Sequence, residues 1–216
     1  MLPHGPGRIG WLLACAALAL PAMLLAPVPL DQPVAQWPAL AQQLTLRPDQ
    51  GVDQPFHTFW TAAWLHGSAA HRLQNLGAVA LLAWMGWLAA LPRAAALALL
   101  AAWPLTQLGL LLQPSPIAHY VGLSGVVHAG VAVVCVHSLA ANHPRFPKAL
   151  AAVALLGIVA KLIMENPVAH RLVQPPGSDI TVVPWVHLSG AVAGLLCALP
   201  GALWCRLGAQ RGRPAG

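Results

Sequence analysis

Three separated groups of polar side chains in this 216-residue chain have the residue types needed to attack a peptide carbonyl. The first is Ser124, set in Gly122-Leu123-Ser124-Gly125. A serine hydroxyl becomes a nucleophile once a neighbouring base takes its proton, and the flanking glycines let a helix backbone or a substrate come close. The second is His187, in His187-Leu188-Ser189-Gly190 followed by Gly194. An imidazole against a serine can accept that proton and return it to the leaving group. The third is the pair His71 and Asn75, four residues apart and so on one helical face. Both can donate to the oxyanion that forms on an attacked carbonyl. Each group also has a plainer reading. Gly-x-Ser-Gly can be a small-residue packing motif, a buried histidine can be satisfied by a carbonyl, and His71 and Asn75 can be contacts at a helix start. Coincidence of depth and direction decides between the two readings, and that depends on the elements carrying them.

The composition places those elements in a membrane. The chain is 58% hydrophobic and 7% charged, with a mean hydropathy of +0.67, whereas soluble domains carry about 25% charged residues. Six apolar runs of spanning length are expected as helices at about 9–30, 71–92, 94–112, 117–140, 147–166 and 183–205. The break before the fourth is Gln113-Pro114-Ser115-Pro116, where two prolines one residue apart stop a helix. The first run is read as a signal anchor that is retained. Residues 31–70 are expected as an interfacial loop, with Trp37, Trp60 and Trp64 as anchors. One membrane domain is expected over 1–216, with no internal repeat.

Orientation follows from the basic residues. With six spans both termini share a side, which holds Arg8, Arg93, Arg145, Lys148, Arg206, Arg211 and Arg213. The other side holds Arg47, Arg72 and Arg171, and the five acids Asp31, Asp49, Asp53, Glu165 and Asp179 lie on or near it. Both termini are therefore expected in the cytoplasm. The second, fourth and sixth helices then run inward together, with Ser124 about two turns and His187 about one turn below the outer surface. At 1.5 Å per residue that depth is roughly 10 Å for Ser124.

The remaining polar residues add little on this reading. Lys161 and Glu165 form an i,i+4 pair at a helix end, and no acid suits a third place beside the serine and histidine. Cys15, Cys135, Cys197 and Cys205 lack metal-ligand spacing, so no metal and no cofactor is expected. Net charge is +6, but the basic residues form no dense patch and nucleic acid is not expected as a partner. A haem or metal protein would place paired histidines near mid-membrane. A metalloprotease would need His-Glu-x-x-His, which the chain lacks, and a transporter would show duplicated halves.

Taken in order, His71-x-x-x-Asn75, Gly122-x-Ser124-Gly125 and His187-x-x-Gly190-x-x-x-Gly194 resemble the rhomboid intramembrane serine proteases over roughly residues 55–205. The stretches Tyr120 to His128 and Trp185 to Gly190 are similar to the rhombosortase subgroup. The resemblance implies an all-α, six-span bundle with Ser124 as nucleophile and His187 as general base and acid, a dyad without an acidic third member. It implies an oxyanion hole from His71, Asn75 and the amide of Ser124, with Gly122, Gly125, Gly190 and Gly194 in support. Many rhomboids carry a tyrosine one turn after the serine. Here that position is His128, which either orients His187 or simply packs. The implied partners are the lipid bilayer and exported proteins whose C-terminal Gly-Gly sorting tail ends in a transmembrane segment. The implied place is the bacterial inner membrane, with the site open to the periplasm. A rhomboid-like protein that binds transmembrane helices without cutting them is the alternative.

Overall fold

Ala- and Leu-rich runs fold into helices wherever proline and positive-φ turns permit, and the computed structural model is helical throughout. It describes residues 6–141 and 144–211, with the side chains of 7–141 and 144–204. Cys205, Arg206, Arg211 and Arg213 lie outside the described side chains. Helix α1 spans Pro6–Leu24, α2 Ala39–Leu44, α3 Thr58–Thr61, α4 Ala69–Ala89, α5 Arg93–Leu108, α6 Ser124–Ala140, α7 Lys148–Glu165 and α8 Pro184–Arg211. Among the described residues strand pairing is limited to two isolated bridges, Leu46 with Tyr120 and Val173 with Val182. Among the described residues three helical stretches are long and apolar enough to cross a membrane: Gly7–Leu24, Arg93–Leu112 and Pro184–Trp204.

Helix α8 runs on to Arg211, past the expected end near residue 205, and two other boundaries differ from expectation. Helix α1 stops at Leu24 rather than near residue 30, because Pro27 and Pro29 lack an amide donor and push the residue before each out of the helical region. The larger difference lies before the serine. Residues 117–123 are not helical. The Tyr120 amide donates to the Leu46 carbonyl at 2.8 Å and the Gly122 amide to Ala62 at 3.0 Å, while Gly122 takes φ +135°. An L side chain rarely adopts that angle. Helix α6 therefore begins at Ser124 itself, and the serine is not two turns deep in a helix.

The segment 31–70 is a packed layer rather than a loop. Beyond α2 and α3 it holds 3-10 turns at Val34–Gln36, Pro48–Gln50 and Ala62–Trp64. Trp37, expected as an interfacial anchor, is buried and meets His119 edge-on at 5.1 Å. Burial lowers the pKa of His119, with the nearby Asp49 charge opposing that shift. Trp60 and Trp64 are tied inward as well. The Trp60 carbonyl accepts from the Trp103 indole at 3.0 Å, and the Trp64 indole donates to Ala17 at 3.0 Å.

Close helix contacts position the site. A Cβ on Gly190 would fall on the carbonyl of Gly125, and one on Gly194 on the carbonyl of Ala129. Two such contacts, each advanced by four residues, put α6 and α8 parallel with backbones touching. Helix α4 runs with them, since Gly130 of α6 packs on Leu82 and Gly122, just before α6, faces His71. Helices α1 and α5 run the other way. Trp11 of α1 fills the notch at Gly86 and donates its indole N–H to the Leu82 carbonyl at 3.1 Å. Thr106 of α5 and Gly109 just past its end meet Ser189 near the start of α8, while Ala94 of α5 meets Gly201 near its far end.

Candidate active site

The parallel run of α4, α6 and α8 brings their first turns to one end of the molecule, where a cavity of about 680 Å³ opens. Ser124, as the first residue of α6, is held at its floor by the Gly122 turn. The Ser124 hydroxyl lies 3.0 Å from Nε2 of His187, a hydrogen-bond distance. His187 stands one turn into α8, and its side chain is 4% exposed. The Gly125–Gly190 contact fixes this spacing, because a wider separation of α6 and α8 would carry the two side chains apart.

His71 and Asn75 line the same cavity from the first two turns of α4. That helix is started by Ser68, whose hydroxyl accepts the His71 amide at 3.0 Å, an N-cap interaction. His71 Nδ1 and Asn75 Nδ2 are buried and have no hydrogen-bond partner. Buried polar groups are normally paired, so two nitrogens without a partner, on side chains that line one cavity, are candidates to meet an acceptor that enters it. Ser124 adds a third donor, since the first amide of a helix has no intrahelical carbonyl. The expected oxyanion donors thus lie around the expected nucleophile.

His128 stacks on His187, with ring centroids 4.3 Å apart and planes inclined by 19°. Its Nδ1 is 2.7 Å from the Ser124 carbonyl; a carbonyl only accepts, so Nδ1 carries a proton and the ring is locked. Behind His71 sits His66, 1% exposed, with ring centroids 5.0 Å apart. Burial, followed by the neighbouring His71, pushes the His66 pKa down to about 4. At neutral pH His66 therefore presents an uncharged ring to His71.

The geometry departs from the expected dyad at one point. Glu165, the last residue of α7, places Oε2 2.7 Å from Nδ1 of His187. Its Oε1 is 2.6 Å from the ammonium of Lys161. Lys161–Glu165 is the i,i+4 pair expected, but the pair satisfies only one carboxylate oxygen, and the other reaches the histidine. An acid therefore stands beside the serine and histidine, contrary to the sequence reading. The signal was present, because an ionisable residue inside an apolar helical run is a functional candidate by default. The cavity wall is completed by Gln74, Tyr120 and the loop from Pro175 to Val183, which bears Asp179; none of these was given a role at the site from the sequence.

Among the described residues no group of three or more His, Cys, Asp or Glu side chains is placed to hold a metal ion. The cavity can instead receive an extended segment of chain, with Ser124 and His187 in its lining beside His71 and Asn75. No curated protein matches the chain. The family model of the rhomboid domain matches residues 53–203, more than half of the chain and all of the cavity residues described above.

Proposed function

The chain belongs to the rhomboid family, whose members are generally intramembrane serine proteases, and on that premise we propose that it is itself an intramembrane serine endopeptidase. The observation that carries this reading is the 3.0 Å approach of the Ser124 hydroxyl to His187 Nε2, beside the unpaired donors of His71 and Asn75. Ser124 Oγ attacks the scissile carbonyl carbon as its proton passes to Nε2, and the carbonyl π pair becomes an oxyanion. The amide of Ser124, His71 and Asn75 donate to that oxygen. When the oxyanion collapses, the C–N bond breaks and the leaving amine takes the proton from Nε2. Water then attacks the acyl-enzyme by the same steps and frees Ser124. The cavity admits that water, which a lipid-filled site would exclude.

The substrate is a membrane-anchored segment that unwinds to present a carbonyl, which glycine eases because it is a poor helix former. The stretches Tyr120–His128 and Trp185–Gly190 support placing the chain among rhombosortases, which act on Gly-Gly sorting tails of exported proteins. With that reading go one domain over 1–216, six spans, both termini in the cytoplasm, and a site open to the periplasmic face of a bacterial inner membrane. His128 orients His187 through its stack, Gly122 forms the turn that sets Ser124 at the start of α6, and Gly125, Gly190 and Gly194 support the approach of α6 and α8.

A fluorophosphonate probe tests the chemistry without knowledge of the substrate, because it reacts with an activated serine. Wild-type protein in detergent labels, whereas Ser124→Ala and His187→Ala do not and still melt like the wild type. Labelling of Ser124→Ala overturns the mechanism. A folded wild type that never labels points to a helix-binding protein that does not cut.

A further inference from the structure

We propose that Glu165 is a third member of this site, a positioning residue that fixes the tautomer and orientation of His187 and faces the positive charge His187 acquires. The proposal rests on the reading of Ser124 and His187 as the reacting pair. The carboxylate, imidazole and hydroxyl form one chain: Oε2 to Nδ1 at 2.7 Å, then Nε2 to Oγ at 3.0 Å. An ionised carboxylate can only accept a hydrogen bond. Nδ1 therefore holds the ring proton, and the lone pair on Nε2 faces the serine. Without that acceptor the ring is free to take the other tautomer, with its proton on Nε2, and then it cannot receive the serine proton. When Nε2 does take that proton, the carboxylate faces an imidazolium. Glu165 itself takes no proton in this sequence.

Several features aim the carboxylate. Asn166 adopts a left-handed conformation, φ 44°, which ends α7 at Glu165, so the acid lies at the helix end that meets the start of α8. Lys161 clamps Oε1, which leaves Oε2 for His187. The Glu165 side chain is 14% exposed against 46% for Lys161, so the clamp lies outward and the acid inward. His128 supports the same ring from its face. The plainer account is a hydrogen bond that merely ties α7 to α8. The two accounts differ in what they demand: a tie needs an acceptor of the right length, whereas a positioning acid needs the charge.

The full-length protein in detergent, labelled with a fluorophosphonate probe, separates them. Glu165→Gln keeps the length and an acceptor oxygen but loses the charge. It is expected to label roughly a hundredfold or more slowly, as neutralising the acid of a soluble serine protease does, with an unchanged melting temperature. Glu165→Asp restores the charge at shorter reach and labels faster than Glu165→Gln. The Glu165→Asp and Glu165→Asn pair repeats the charge comparison one methylene shorter, so that a poorly folded Gln variant does not remove the test. Nitrogen NMR of labelled histidine reads the tautomer directly: His187 carries its proton on Nδ1 in the wild type and in Ser124→Ala, and redistributes it in Glu165→Ala. A Gln variant labelling within a few-fold of wild type, or an Asp variant no faster than Asn, overturns the third member alone, provided Ser124→Ala is blank. A wild type labelling no faster than Ser124→Ala overturns the parent reading and this one with it.

Discussion

A buried donor left without a partner costs roughly 1–3 kcal/mol, and His71 Nδ1 and Asn75 Nδ2 find none within the protein. A fold retains such a cost where the partner is the substrate. That trade predicts opposite effects on activity and stability. Asn75→Ala and His71→Ala should each slow turnover by roughly a hundred- to a thousandfold, the cost of losing one oxyanion donor. Neither should lower the melting temperature by what a buried, satisfied residue would cost. A parallel fall of both quantities would mark these residues as structural. At this scale the sequence was largely readable: Ser124, His187, His71 and Asn75 all line one cavity. Glu165 was passed over, because Lys161 four residues earlier already supplied a sufficient partner. That the second oxygen reaches α8 depends on how two helix ends meet, which no local spacing encodes.

At the scale of elements, the distance between Ser124 and His187 is set by α6 and α8, and that distance by glycine. Gly194→Ala places a methyl on the Ala129 carbonyl, so the helices must part. Overpacking of this kind costs about 1–3 kcal/mol, and here it should lower both the melting temperature and the labelling of Ser124. Gly157→Ala in α7 is the control, since a Cβ there meets nothing within 4 Å. It should be neutral or slightly stabilising; equal loss in both variants would refute the close-contact account. The glycine spacing of α8 was legible as a smooth face. The start of α6 was not, because the apolar run from residue 117 continues unbroken into the helix. What ends the helix backwards is the φ of Gly122 and amides spent on Leu46 and Ala62, partners more than fifty residues away. The interfacial character assigned to Trp37 failed for a similar reason: composition cannot distinguish a tryptophan at a lipid boundary from one buried under a neighbouring loop.

At the scale of the whole molecule, α1, α5 and α7 run one way and α4, α6 and α8 the other, so the two ends of the described chain lie opposite the cavity. The basic residues Arg8, Arg93, Arg145 and Lys148 fall at helix ends on that same side. Reporter fusions at the N- and C-termini should therefore both read as cytoplasmic. A periplasmic signal at either end would contradict the even number of crossings proposed above. The alternation has an electrostatic consequence. A helix carries about half a positive charge at its start and half a negative charge at its end. Three helix starts, those of α4, α6 and α8, converge on the cavity, and their summed potential favours a negative charge there, such as the oxyanion of the proposed mechanism. The same potential opposes a proton arriving on His187, one turn into α8. The carboxylate of Glu165, at the negative end of α7, lies on the far side of that ring and offsets it. One bundle thus presents opposite potentials to the two charges that a single proton transfer creates.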